Sequence, residues 1–449
     1  MSNRLILHTI CVILLTVNMN ILFISKNGMA ADLARKLHNE GHHVKLYIDD
    51  KKLKPIFDYI VPKITNWKKE LAWVRKGLII FDDCGFGKVQ DDLRKKGFNV
   101  FGGNALADEI EYDREFSTKV FQKYGIKTFP AKTFKNVLEA AEHAIENPGQ
   151  WVIKREGDNS KFVSYVGEDD DGKDVIALLK NYSVIKNINK QPISLQQRAH
   201  GIEIGVARYF NGKNWVGPIE MNVEHPHLFS GGIGQFTTEM GTVAWYTEKE
   251  NALYKKTLAK LEPMLRESGY KGDFAVNCIV DKKNAYALEM TPRLGSPISH
   301  LHQELHDSPW GDFLMAIAKG EDYKLKYKKG YGVVITLAVP PFPFQKIFTT
   351  GICHGLTLNL GKCTSKDIEH IHFDEVSKRI SGDKEHYYIS GHDGFVGYVT
   401  SVDKTVKKSC LNALKITQKI HVPKLFYRID IGHKFEDVDL PNLKKWGWL

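Results

Sequence analysis

The stretch Ala287 to Gly295, ALEMTPRLG, places a carboxylate, a hydroxyl and a guanidinium at alternating positions: Glu289, Thr291 and Arg293. Side chains on an extended chain alternate between faces, so the three share a face if the strand continues past Met290, and Pro292 disfavours helix at Thr291. A hard cation such as Mg²⁺ takes carboxylate and other oxygen ligands together with substrate phosphates. An Arg beside it clamps a carboxylate or phosphate through two parallel bonds. A surface strand with an exposed Glu and Arg has the same pattern, so both readings stand until the rest of the chain is considered. Lys154, in WVIKRE, follows Val152 and Ile153 on an apolar strand where a solvated Lys is less expected. Arg114 has a plainer reading as a helix-surface partner of Glu111 or Glu115, and Glu203 as an exposed residue of an alternating strand.

These residues need a scaffold, and the pattern predicts an α/β and α+β multidomain chain. ILFIS from residue 21, a turn at Asn27 and Gly28, a helix from Ala30 to Asn39 and the strand HVKLYID form a βαβ unit. LIIFDD (78–83), a helix near 88–96 and NVFGG (99–103) extend it into a doubly wound parallel sheet. Such sheets bind ligands at the carboxyl ends of their strands, here residues 25–30 and 82–87. A helix is expected over 111–124, with Phe116, Val120 and Tyr124 on one stripe, ending at Gly125. There follow a strand near 127–129, a helix over 137–146, the strands 151–156, 193–199, 203–210 and 214–221, a long helix over 248–268, and the hairpin DFAVNCIV with AYALEM. Beyond residue 332 the strands GVVITLAV and GFVGYVTSV and a helix over 405–420 indicate a further α+β region.

A chain of 449 residues with 43% hydrophobic and 26% charged residues is neither disordered nor a membrane bundle, and its length suggests about three domains. The net charge of +10 favours acidic partners, but the basic residues are dispersed, which suits phosphorylated small molecules as well as nucleic acid. Six cysteines without CxxC spacing indicate free thiols in a reducing compartment. His300, His302 and His306 offer no HExxH order, and a polar helix start is the expected reading over a metal site. Residues 1–18 have the charged and apolar regions of a leader without a small-x-small cleavage site. An upstream start or unneeded leader is expected there, with residues 19–449 folding alone.

The order of segments resembles the ATP-grasp superfamily, and within it the phosphoribosylamine–glycine ligase family, also called glycinamide ribonucleotide synthetases. The resemblance rests on IEYDREFSTKVFQKYGIKT (110–128), WVIKREG (151–157), QQRAHGIEI (196–204), SGGIGQFT (230–237) and ALEMTPRLG, with HYYISGHDGFVGYVTSVDKTVKKSCLNAL near the C-terminus. It implies a pre-ATP-grasp domain over 19–110, an ATP-grasp domain over 111–330 with a lid subdomain at about 125–192, and a C-terminal α+β domain over 331–449. It implies a cytoplasmic, monomeric or homodimeric ligase of purine biosynthesis. Such an enzyme uses ATP and Mg²⁺ (or Mn²⁺) to turn an amino acid carboxylate into an acyl phosphate that an amine, such as phosphoribosylamine, attacks. No membrane association is implied, and nucleic acid is not the expected partner.

The same resemblance assigns phosphate contacts to Arg114, Lys154, Ser160 and Lys161, the adenine hinge to Gln196, Gln197 and Ala199, and the ribose to Glu203. It assigns the metal to Glu289, Asn277 and Thr291, where the family usually has Asn at the last position. Arg293 matches a basic residue beside the transferred or substrate phosphate. The chain departs from the family at the lid loop GDNSKFVS (157–164) and where Ser25, Lys26, Asn27 and Gly28 replace a Gly-Gly-Arg-Glu turn. Further departures are Asp82, Asp83, Cys84 and Gly85 in place of Gly-Pro-Glu, Ser296 and Ser299 in place of acidic residues, and Gly391 to Gly394 in place of Gly-Gly-Arg. The departures outside the lid fall on the acceptor side, so a paralogue joining another amino acid to another amine stands as an alternative, and Thr291 with the glycine-poor lid leaves an ATP-binding pseudoenzyme as another.

Overall fold

The computed structural model describes residues 18–154, 164–185, 188, 192–344, 351–382 and 384–449. Ser160, Lys161 and all but the last residue of the expected leader lie outside the described residues. The N-terminal strands β1 (Asn20–Ser25), β2 (His43–Ile48), β3 (Leu78–Phe81) and β4 (Asn99–Phe101) form a parallel sheet in the order β2-β1-β3-β4. All four residues of β3 and all but the first of β1 are buried, the continuous apolar pattern of strands covered on both faces. Helix α1 (Asp32–Asn39) follows β1, and α2 (Gly87–Lys95) follows β3.

The single helix expected over 111–124 is two: α3 (Ala105–Tyr112) and α4 (Arg114–Lys123). Asp113 between them is extended, and its side chain accepts the Phe116 N–H at 2.9 Å, a local bond that competes with helix continuation and caps α4 instead. The break puts Glu111 and Arg114 on different helices.

The lid is a second, smaller unit. Strands β5 (Ala131–Phe134), β6 (Trp151–Lys154), β7 (Tyr165–Val166) and β8 (Ile193–Gln197) pair antiparallel in the order β5-β8-β6-β7. Helices α5 (Val137–Glu146) and α6 (Lys173–Ser183) cover one face with a core of their own, including Ala140, Trp151, Ile153, Leu179 and Leu195. The strand expected near 127–129 is a single bridge, Thr128 to Ala287, with Ala287 N–H donating to the Lys127 carbonyl at 2.8 Å.

The central sheet has eight strands. Its order is β15 (Ala285–Thr291), β14 (Lys271–Val280), β9 (Ile202–Asn211), β10 (Trp215–Glu224), β13 (Gly241–Thr247), β16 (Tyr331–Ala338), β21 (Phe395–Asp403) and β18 (Ile371–Phe373). The short hairpin β11 (His227–Phe229) and β12 (Ile233–Phe236) projects from it, and β17 (Thr357–Leu358), β19 (Val376–Ser381) and β20 (Lys384–Ile389) form a three-stranded sheet. The central sheet runs across residue 331, because β16 pairs with both β13 and β21.

The long helix expected over 248–268 is interrupted. It becomes α7 (Ala252–Lys256), a 3-10 turn over Leu258–Leu261 and α8 (Glu262–Glu267), with Thr257 non-helical and Pro263 removing an amide donor at the start of α8. Helix α9 (Ile298–Leu305) carries His300 and His302 and ends at His306, all buried. His302 pairs with Glu220 at 2.9 Å and Tyr209 at 3.0 Å, and His306 with Tyr246 at 2.7 Å. Among the described residues no group of three or more His, Cys, Asp or Glu is arranged to hold a metal. Nor, among them, is any helix long and apolar enough to cross a membrane. The five described cysteines are free thiols.

Candidate functional site

The site begins on the central sheet. Asn277 of β14 stands directly opposite Glu289 of β15 on one side and Gly205 of β9 on the other, and Gly205 stands opposite Asn222 of β10. Directly opposed residues project to the same face, so Glu289, Asn277 and Asn222 form one row with a notch at Gly205. A Cβ there would lie 2.2 Å from Asn222 Oδ1. Period-two alternation puts Glu203 and Thr291 on that face as well. Glu289 is exposed and Asn277 buried beneath it. Asn222 donates to Glu220 at 2.8 Å, while its buried Oδ1 has no partner among the described residues.

The strand ends at Thr291, so Arg293 does not continue the alternation. It leaves the sheet and reaches the N-terminal domain, where its guanidinium lies 3.2 Å from Glu111 and 3.4 Å from Asp83. Burial opposes the Arg293 charge, but Glu111 and Asp83 outweigh it and raise the pKa. Burial raises the Glu111 carboxyl; Arg293 opposes this, while Asp83 and Glu289 push it further up. Lys26, after β1, donates to the Tyr112 hydroxyl at 2.7 Å.

From the lid, Lys154 ends β6 opposite Ser194 of β8. Its pKa is lowered to about 8, first by burial and then by the positive charge of Arg114, while Glu289 and Glu203 oppose the shift. Lys154 of the lid and Glu289 and Glu203 of the central sheet are thus close enough for their charges to act on one another. Glu203 reaches water at the cleft mouth although protein surrounds its carboxylate. Desolvation there raises its pKa, Glu289 adds to the rise, and Lys154 opposes it. Gln196 is buried in β8 and Gln197 exposed at its end; Ala199 lies just beyond, in the link to β9. Arg198 anchors this hinge to the lid through the Gly167 carbonyl at 2.7 Å.

The structure thus brings Lys154, Arg114, Glu203 and Glu289 near one another, with Asn277 and Thr291 on the Glu289 face of the sheet, Gln196, Gln197 and Ala199 where β8 leads into β9, and Arg293 turned to Glu111 and Asp83. The Arg293 partners were not singled out from sequence. Glu111 was read there only as a neighbour of Arg114, and the signal for Asp83 was the departure at 82–85. One carboxylate, an amide and a hydroxyl on a shared face, with the unpartnered Asn222 oxygen in the same row, form a hard all-oxygen donor set. It fits Mg²⁺ completed by substrate phosphates better than a metal held by protein alone.

Residues 112–298 match the family model for the phosphoribosylglycinamide synthetase ATP-grasp (A) domain. The phosphoribosylamine–glycine ligase of Listeria monocytogenes serotype 4b is 24% identical over 439 residues, covering 93% of this chain and 100% of that protein. That of Clostridium acetobutylicum is 24% identical over 274 residues, or 59% of this chain and 64% of that protein. The crystal structure of phosphoribosylamine–glycine ligase from Thermotoga maritima has the same fold, with a TM-score of 0.67 at 18% identity over 92% of this chain and 100% of that one. The chain thus carries a match to an ATP-grasp domain over residues 112–298 and resembles the phosphoribosylamine–glycine ligases along nearly its whole length.

Proposed function

We propose that this chain is an ATP-dependent carboxylate–amine ligase of the phosphoribosylamine–glycine ligase type, acting in the cytoplasm on small molecules as a monomer or homodimer. The observation that carries the reading is the row of Glu289 and Asn277 on one face of the central sheet, open at Gly205, with Lys154 of the lid near enough for the Glu289 charge to act on it. In the form the resemblance implies, glycine, phosphoribosylamine and ATP give glycinamide ribonucleotide, ADP and phosphate, a step of purine biosynthesis. A carboxylate oxygen takes the γ-phosphoryl group as ADP leaves, and the amine then displaces phosphate from the acyl phosphate to form the amide.

Phosphoryl transfer asks the protein mainly for positioning and for cations around the oxygens. Lys154 and Arg114 supply those cations, with Ser160 and Lys161 as further phosphate contacts. Gln196, Gln197 and Ala199 hold the adenine edge, and Glu203 accepts the ribose hydroxyls. Glu289, Asn277 and Thr291 would hold Mg²⁺ or Mn²⁺, which when bound neutralises phosphate charge. Arg293, kept charged by Glu111 and Asp83, is the basic residue beside the transferred or substrate phosphate. The test is ADP release against a panel of amino acids and amines that includes glycine with phosphoribosylamine. Stimulation by one pair supports the reading, and release unaffected by every pair removes it. A second reading, a paralogue acting on a different amine, is favoured by one specific observation: carboxylates of the chain itself occupy the turns that follow β1 and β3.

A further inference from the structure

Amide groups at the carboxyl ends of parallel strands, just before a helix, are the usual anion-binding donors of such sheets. In this chain those donors are already taken. After β1, Gly28 N–H donates to Ser25 Oγ at 2.7 Å and Met29 N–H to Asn27 Oδ1 at 3.0 Å. Ala30 N–H donates to Asp82 Oδ2 at 3.2 Å, and Ala31 N–H to the Gly28 carbonyl at 3.0 Å. After β3 the pattern repeats. Cys84 N–H donates to Asp83, and Gly85 and Gly87 N–H donate to the two oxygens of Asp108, each at 2.7 Å.

Asp82 is the centre of this arrangement. It is fully buried, takes the Ser25 hydroxyl at 2.6 Å as well as Ala30 N–H, and its Oδ1 is buried without a partner among the described residues. A second fully buried carboxylate, Asp32, stands in the first turn of α1 and is bonded to Arg35, His372 and the Phe373 N–H. The neighbouring cations are engaged as well: Lys26 with Tyr112, Arg35 with Asp32, and Arg293 with Glu111 and Asp83. A phosphate brought to this turn would find its donors occupied and two buried carboxyl groups in its place, Asp32 ionised and Asp82 pushed up to about 7 by burial and by Asp83.

We propose that Asp82 fills the anion position at the start of α1 and acts as a specificity residue, so that the amine ligated by this chain carries no phosphate at that turn. This rests on the ligase reading and separates its two forms, and two arms of the test keep them apart. In the first, hydroxylamine replaces the amine and hydroxamate formation from ATP and an amino acid is measured; it reports acyl phosphate without using the turn. Its absence for every amino acid ends the ligase reading.

In the second arm, binding of ribose 5-phosphate and of ribose to the full chain with magnesium and a non-hydrolysable ATP analogue is measured by calorimetry. This needs no turnover. Wild-type protein is expected to bind the two with affinities within about threefold of each other, whereas a preference for the phosphate above about tenfold overturns the proposal. Asp82→Ser removes the carboxyl group and frees the Ala30 N–H, and is expected to gain at least about tenfold in ribose 5-phosphate affinity. A folded variant with no gain removes Asp82 from the role. If Asp82→Ser does not fold, the wild-type comparison still decides.

Discussion

The cleft beneath the lid and the turn at the start of α1 are both rich in charge, and they use it in opposite ways. Across the gap between lid and core, burial lowers the Lys154 pKa and raises that of Glu203, and the Glu289 charge acts on both. At the turn, Asp82 and Asp32 are fully buried and bonded to hydroxyl, imidazole, guanidinium and backbone N–H groups. The contrast separates charge held ready for an incoming group from charge consumed by the fold.

The strongest way to break this comparison is to remove a cleft charge. Lys154→Ala and Glu289→Ala are each expected to lower the ADP-release rate by at least about 10²–10³-fold while the circular dichroism spectrum and unfolding midpoint stay near those of wild type. Retained turnover in either variant would detach that residue from the site. At the turn the effects should exchange places. Asp32→Ala strips the partner from Arg35 and His372, and is expected to cost about 3–5 kcal/mol of unfolding free energy by denaturant titration. A loss below about 1 kcal/mol would mean that the turn is not held by this carboxylate.

The cleft can also be sharpened by pH. Lys154 has its pKa lowered to about 8, so the charged form proposed to contact phosphate is present below that pH and lost as pH rises through it. The kcat/KM for ATP should therefore be level on the acid side of about 8 and fall above it. Lys154→Arg should move the fall to higher pH, because guanidinium stays protonated. The smallest change is expected from Glu203→Gln, which keeps a hydrogen-bonding side chain: a rise in KM for ATP of about three- to tenfold with little effect on kcat. An equal loss in kcat would place Glu203 nearer the reacting phosphate than the ribose.

Much of the scaffold was legible in the sequence, because buried parallel strands such as LIIF and capped helices such as Val406–Thr417 carry strong local signals. The breaks were less so. One side chain, Asp113, divides the helix expected over 111–124, and residues 257 and 263 divide the one over 248–268, local contests that apolar spacing does not register. The metal-side pairing of Asn277 with Glu289 depends on register, which shifts between Asn277 and Cys278 because Leu288 is an extra residue in β15. Alternation along β15 placed Glu289 and Thr291 together. It could not foresee that the strand stops before Arg293 and sends it to Glu111 and Asp83. The capture of Ala30 by Asp82 joins residues 52 apart and is visible only once β1 and β3 lie side by side.

The bridge between Thr128 and Ala287 has a mechanical consequence. It fastens the entrance of the lid to β15 only two residues before Glu289, while the lid keeps its own core and the central sheet continues unbroken into the C-terminal strands. A lid swinging on that fulcrum would carry Lys154 through an arc and leave Glu289 almost stationary. The reach between the two, and with it the length of phosphate chain the gap admits, would then be set by a single angle.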